Sequence, residues 1–303
     1  MQKDIRSWLS PPDPSKNHNI ARKSHHSGTA EWFTRGIALE RWITTGSLLW
    51  IHGKRTFFSY LQPVVPPDVH LVSGLIAGSG KSVLWYVSPM KSHFLSIFIL
   101  PTSSSIINEI KMKCDQGLAL MGYYYFDFKD IAKQDIRGLL ISLLSQFCAK
   151  SDPCYHILSD LYSENDAGSQ QPDDEALAEC LKEILFLPDA PMRYIILDGI
   201  DECPNTSGFP TAREEVLKFL EEMDGPQLPN LRICATSRPE IDIRTCLEPL
   251  TSLHMSLHDE NGQKQDILDY ISNIVHSDGR MRRWRPEDKQ LVIDTLSAKA
   301  DGM

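Results

Sequence analysis

The sequence predicts a three-layer α/β fold with a mostly parallel five-stranded sheet, and three observations carry that expectation. Apolar strand-like runs alternate with segments of helical spacing through most of the chain. Such alternation means parallel strands joined by crossover helices that cover both faces of a sheet. Gly53, Asp198 and Arg238 each fall just beyond the strand they follow, the end of such a sheet where ligands gather. The chain divides into an N-terminal helix and linker (1–46), the α/β domain (47–258) and the start of a helical region (259–303).

Asp4 to Leu9 suggests a short helix stopped by Pro11-Pro12-Asp13-Pro14, and the polar stretch to Ser27 reads as a linker. His18, His25 and His26 within it have no cysteine or carboxylate at ligand spacing and read as solvated positions. Trp32, Phe33, Ile37, Leu39 and Trp42 give an irregular helical face, and Leu48 to His52 a buried strand. Helical spacing resumes over Ser104 to Ile110, followed by an aromatic strand within Leu118 to Phe128. Ile136, Leu139, Leu140, Leu143, Leu144 and Phe147 mark an amphipathic helix. Cys148, Cys154 and His156 near its end lack a fourth ligand and read as incidental. Glu164 to Asp174 is a polar connector whose last aspartates can cap a helix facing inward through Leu177, Leu181, Ile184 and Leu185. The strand Tyr194 to Leu197 ends in Asp198. Thr211 and Glu214 form a capping-box pattern, and Leu231 to Thr236 is a strand running into Ser237-Arg238-Pro239. A fifth strand is expected at Leu253 to Leu257, then helices near Gln265 to His276 and Pro286 to Lys299.

With 303 residues, 42% hydrophobic, the chain is long enough for one large domain with appendages. The formal charge of −9 argues against generic nucleic-acid binding. The basic run Arg280 to Arg285 reads as a loop beside Glu287 and Asp288. Phe94 to Leu100 is far too short to span a bilayer, no secretory signal precedes Met1-Gln2-Lys3-Asp4, and seven scattered cysteines fit a reducing compartment. A cytoplasmic protein without membrane or specific nucleic-acid partners is the expectation.

Gly78-Ser79-Gly80-Lys81-Ser82 is the second half of a phosphate-binding loop. Glycines let backbone N–H groups turn inward around a phosphate, the lysine reaches the outer phosphates, and the serine hydroxyl ligates Mg²⁺. Leu75 stands where the first glycine belongs, while the missing half, a buried strand running into Gly53-Lys54, lies upstream. Arg55 to Ala77 therefore reads as an insertion. A second, Trp85 to Ser103, interrupts the following helix with Pro89 and Pro101. Codons at both pairs of ends permit excision of a GT…AG segment, leaving a proline codon in place of 55–77 and a cysteine codon in place of 85–103. Translated introns are one explanation. A genuine loop insertion is the other, since long surface loops cost little closure entropy.

Hydrolysis of a nucleoside triphosphate requires positioning and charge neutralisation. Asp198-Gly199-Ile200-Asp201-Glu202 places three carboxylates in five residues at a strand end. Asp198 is the candidate Mg²⁺ ligand beside Ser82, and Asp201 or Glu202 the candidate to orient or deprotonate water. Arg238 suits a γ-phosphate, although a strand-end arginine can equally serve a surface ion pair. Gly53, Lys54, Gly78, Ser79, Gly80, Lys81 and Ser82 would form the cradle. The absence of an Asn-Lys-x-Asp motif favours ATP over GTP.

Leu-Leu-Trp-Ile-His-Gly-Lys with Gly-Ser-Gly-Lys-Ser, then Tyr-Ile-Ile-Leu-Asp-Gly-Ile-Asp-Glu-Cys and Ala-Thr-Ser-Arg-Pro-Glu, resembles the NACHT class of signal-transducing P-loop NTPases. It is most similar to the nephrocystin-3-like N-terminal domains abundant in fungi, whose opening segment Gly28 to Phe33 also resembles. The resemblance implies that the strand before Arg238 lies between the P-loop strand and the Asp198 strand. It further implies an ATP- and Mg²⁺-dependent switch that self-associates and is usually followed by helical domains and a repeat sensor. Here the loop is interrupted, and the sequence stops at Ala300-Asp301-Gly302-Met303 before any repeats. A nucleotide-binding-impaired scaffold fragment is the competing expectation.

Overall fold

A computed structural model describes residues 2–24, 31–53, 103–188, 190–206, 208–225 and 228–256, and, towards the C-terminus, 268, 269, 271–273, 275–277, 279 and 281–301. Its centre is a five-stranded sheet in which every pairing is parallel. The strands are β1 (Leu48–His52), β2 (Ala119–Tyr125), β3 (Met192–Asp198), β4 (Leu231–Ser237) and β5 (Leu253–Ser256), in the order β2-β3-β4-β1-β5. β4 thus separates β1 from β3, as the resemblance implies.

Side-chain alternation splits the core in two. Leu48 and Trp50 of β1 join one buried cluster, and Leu49 and Ile51 join the other, with all four essentially inaccessible. Strands this apolar on both faces belong to a sheet covered by helices on either side. One layer holds α6 (Ile136–Cys148), α7 (Asp152–Glu164), α8 (Asp174–Phe186) and α9 (Ala212–Met223), whose buried Leu139, Leu143, Leu158, Leu181 and Phe219 fill the larger cluster. The opposite cluster takes Leu39 and Trp42 from α4 (Ile37–Thr45), which follows the short α3 (Glu31–Thr34). Ile106, Ile107 and Ile110 join it from the helical stretch 103–115, termed α5. Ile37, expected on the apolar face, is 81% exposed, because it begins α4 on the side away from the sheet.

Helix starts follow local chemistry. Asp135, Ser151 and Asp173 cap α6, α7 and α8, and Thr211 with Glu214 forms the anticipated capping box on α9. Two helices arise where the sequence reading placed none, α7 and α10 (Ile241–Leu250). Their apolar stripes are short: α7 buries Cys154 and Leu158, and α10 buries Ile243 and Leu247. Pro249 sits in the last turn of α10, after that face is complete.

The N-terminal reading also needs correction. α1 (Gln2–Leu9) is present, and its Ile5, Trp8 and Leu9 join the larger core cluster. The expected linker, however, contains α2 (Ser15–Ser24). Asp13 Oδ1 accepts the Ser15 N–H at 2.9 Å, Asn17 donates to Asp127 Oδ2 at 3.0 Å, and Lys133 Nζ donates to Asn17 Oδ1 at 2.6 Å. His18 is not a solvated linker position but packs against Tyr123 and lies 3.2 Å from the Tyr125 hydroxyl. Tertiary partners make this polar segment helical. His25 and His26 lie outside the described residues, as do Gly28 and Thr29.

Beyond β5, helical positions occur at 268, 269, 271–273 and 275–277, and α11 spans Pro286–Asp301. Arg285 forms a two-contact pair with Asp288, so the basic run is partly neutralised by its acidic neighbours. Among the described residues, no helix is long and apolar enough to cross a membrane.

Candidate functional site

Strand register decides what shares the carboxyl edge. His52 pairs with Ser237 and Leu197 with Ala235, so Gly53, Asp198 and Arg238 leave the sheet together from neighbouring strands. Lys54, Gly78, Ser79, Gly80, Lys81 and Ser82 lie outside the described residues, as do most of the two suspected insertions, 55–77 and 85–102.

Asp198 ends β3 only 5% exposed. Thr236 donates its hydroxyl to Asp198 Oδ1 at 2.6 Å, and Ser103, the first described residue of α5, donates to the same oxygen. No described residue bonds Oδ2. Burial lifts the Asp198 carboxyl from 3.8 to about 6, the two hydroxyls oppose that rise, and nearby Asp201 adds to it. Gly199 then turns the chain at φ +74°, a left-handed conformation that glycine adopts without penalty. Its N–H donates to Thr236 Oγ1 at 3.1 Å. The turn Ile200–Glu202 follows.

That turn gives its two acids different surroundings. Asp201 Oδ1 accepts the Arg238 backbone N–H at 3.0 Å, and its Oδ2 lies 3.2 Å from Arg238 Nε. Glu202 has no cationic partner among the described residues. Burial raises its carboxyl to about 7, opposed by the Phe128 N–H at 3.2 Å and assisted by Asp201, Asp198 and Asp127. A carboxyl titrating near neutrality can accept a proton from water, whereas one tied to a guanidinium is better suited to holding its partner. The two candidate acids thus differ in surroundings: Asp201 is tied to Arg238, and Glu202 is not.

Arg213 of α9 braces the site from behind, its side chain only 6% exposed. Nη2 donates to the Asp201 carbonyl at 2.8 Å and Nε to that of Cys203 at 2.9 Å, while Nη1 contacts Glu240 at 2.6 Å and Asp242 at 3.2 Å. The turn after β3 and the start of α10 after β4 are thereby held by one guanidinium. Trp50 Nε1 donates to Ser237 Oγ at 2.9 Å, joining β1 to β4 at the same edge.

Residues 101–238 match the family model described as nephrocystin 3, N-terminal. No curated protein matches the chain. The nephrocystin-3-like stretch is less than half of the 303 residues, yet it holds Ser103, Asp198, Asp201, Glu202, Arg213, Thr236 and Arg238. Gly53 and the predicted phosphate loop precede it.

Sequence reading missed Ser103, Arg213 and Thr236. Thr236 lies on a strand that the sequence marks, but its place beside Asp198 follows only from the register that pairs Leu197 with Ala235. Ser103 was hidden inside the second suspected insertion, and Arg213 lies on a helix with no motif to mark it.

The described residues contain no group of three or more His, Cys, Asp and Glu arranged to hold a metal ion. The donor set nevertheless fits Mg²⁺, a hard cation commonly held by one or two carboxylates with phosphate and water oxygens completing its shell. Asp198 has such a carboxylate, whose Oδ1 takes two neutral hydroxyls and whose Oδ2 is bonded by no described residue.

Proposed function

We propose that this chain is the nucleotide-binding unit of a NACHT-type switch, taking ATP with Mg²⁺ and changing its conformation and self-association with nucleotide state. The observation that carries the reading is the meeting, at one sheet edge, of a buried carboxylate with no cationic partner among the described residues (Asp198), a carboxyl raised to about 7 (Glu202) and an arginine on a salt bridge that phosphate can replace (Arg238). Gly53 leaves β1 at the same level. The nephrocystin-3-like match, which covers Asp198, Glu202 and Arg238, supports it.

In this reading Gly53, Lys54 and Gly78 to Ser82 cradle the phosphates, and Asp198 with Ser82 would hold Mg²⁺. The bound ion supplies charge neutralisation across the phosphate oxygens. Glu202 orients the attacking water and takes its proton. Arg238 exchanges Asp201 for the γ-phosphate, and this exchange registers nucleotide state. GTP is the less favoured alternative, and the cytoplasm the proposed location.

A second reading, an impaired scaffold fragment, is favoured by one specific observation: the sequence separates Gly53-Lys54 from Gly78-Ser79-Gly80 by the segment 55–77. Titration with a fluorescent ATP analogue separates the two. The nucleotide reading expects binding that Lys81→Ala abolishes in the chain with 55–77 replaced by proline and 85–103 by cysteine, and unchanged affinity in that variant would overturn the site assignment. Sequencing the transcript across codons 50 to 110 decides between translated introns and genuine insertions.

A further inference from the structure

We infer that Thr236 is a positioning residue for the metal-nucleotide site, fixing the Asp198 carboxylate and the turn that carries Glu202 through one buried hydroxyl. The inference rests on the nucleotide-binding reading above. Thr236 is fully buried on β4, next to the last residue of the strand. Its hydroxyl proton is committed to Asp198 Oδ1 at 2.6 Å, and its oxygen accepts the Gly199 N–H at 3.1 Å. A hydroxyl has one proton and two lone pairs, so both bonds are made at once without conflict.

The consequence is geometric. The two partners are consecutive residues, and the chain reverses hand between them, since Gly199 lies at φ +74°. Anchoring Oδ1 fixes the Asp198 side-chain torsion and, among the described residues, leaves Oδ2 for a cation. Anchoring the Gly199 amide fixes where the turn Ile200–Glu202 begins, and therefore where Glu202 stands relative to Asp198. Ser103 also donates to Oδ1, but it comes from α5 and holds nothing in the turn. Thr236 alone among the described residues joins both, and it does so from a central strand whose neighbours β1 and β3 are paired on either side. Outer partners that orient a metal ligand typically contribute about 10- to 100-fold to metal affinity.

The test compares affinity for a fluorescent, non-hydrolysable ATP analogue in excess Mn²⁺ with that in EDTA. The ratio is the metal-dependent gain. Thr236→Val, which keeps the shape and removes the hydroxyl, is expected to lose about tenfold of that gain while the EDTA affinity stays put. Thr236→Ser, which restores the hydroxyl, is expected to regain it. In an Asp198→Asn background the valine change is expected to cost no further gain, because the oxygen it positions is no longer a charged ligand. Thr236→Ala replaces the valine variant if that one does not melt cooperatively.

Full gain in the valine or alanine variant overturns the positioning role. So does an equal loss in EDTA, an equal loss in the Asp198→Asn background, or failure of the serine variant to recover. A wild-type chain whose affinity is the same in Mn²⁺ and EDTA overturns the nucleotide reading itself, and this role with it.

Discussion

At the scale of single residues, burial without a compensating cation sets the behaviour of the acidic turn. Asp198 rises from 3.8 to about 6 and Glu202 from 4.5 to about 7, each chiefly by desolvation. Because both folded values lie above the unfolded ones, the native state holds more protons than the unfolded chain between about pH 4 and pH 7. These two groups therefore favour folding most at low pH, and that contribution is lost as pH rises to about 7, beyond which it is constant. Urea midpoints at several pH values should show this slope shrinking in Asp198→Asn and again in Glu202→Gln, whose amides do not titrate. A slope that persists in both would place its origin elsewhere. Glu202→Gln should also slow hydrolysis while leaving ATP-analogue affinity intact, since the carboxyl is assigned to water and not to phosphate. Gly199→Ala tests the backbone: the nearest atoms to an added Cβ are Glu202 Cγ and the Phe126 carbonyl at 3.6 Å and Glu202 Cδ at 3.8 Å, so crowding is ordinary. The left-handed φ of +74° alone should cost about 1–2 kcal/mol, read as a lowered melting temperature.

At the scale of elements, what was legible in the sequence had a strong period or a terminal signal. β1 and β4 are apolar runs followed by Gly53 and Arg238, β3 is one that ends in Asp198, and α6, α8 and α9 announce themselves by spacing and by Asp173, Thr211 and Glu214. α7 and α10 were invisible because each buries only two residues, and α2 because its order comes from Asn17 and His18 docking on distant Asp127 and Tyr125. The candidate site divides the same way. Strand-end acids are visible as sequence, whereas the hydroxyls of Thr236 and Ser103 and the Arg213 brace exist only after the strands are side by side. Arg213 is the sharpest case, since one buried guanidinium holds two carbonyls and two carboxylates across three elements. Removing one partner of a buried ion pair costs about 3–5 kcal/mol. Glu240 and Asp242 keep some access to water, so Arg213→Met should fall near the lower end, about 3 kcal/mol, by chemical denaturation. If the brace also sets the spacing between Asp201 and Arg238, the same variant should weaken ATP-analogue binding beyond what its lost stability explains.

At the scale of the whole molecule, the sheet edge is framed by strands that the described residues complete, while the loop meant to close it is split in sequence. Gly53 follows β1 level with Arg238, so a phosphate loop that turned directly into α5 would need only the few residues Lys54 to Leu84 contribute without 55–77. In the chain as it stands, 49 residues separate Gly53 from Ser103, the first described residue of α5. Closing a longer loop adds only about 0.6 kcal/mol per doubling of length, so the fold tolerates the insertions far better than the loop's chemistry does. Phosphate binding needs successive glycine-permitted N–H groups, and Leu75 stands where the pattern asks for glycine. The chain with 55–77 replaced by proline and 85–103 by cysteine should therefore fold with similar stability without ligand yet respond far more to nucleotide. At an ATP concentration of a hundred times Kd, with Mg²⁺, binding to the native state alone should add about 2.7 kcal/mol. The unaltered chain should gain much less under identical conditions. Thermal melts of both chains, with and without MgATP, measure this directly. An equal shift in the two would mean that the interrupted loop still cradles phosphate, and that 55–77 is a working part of the site.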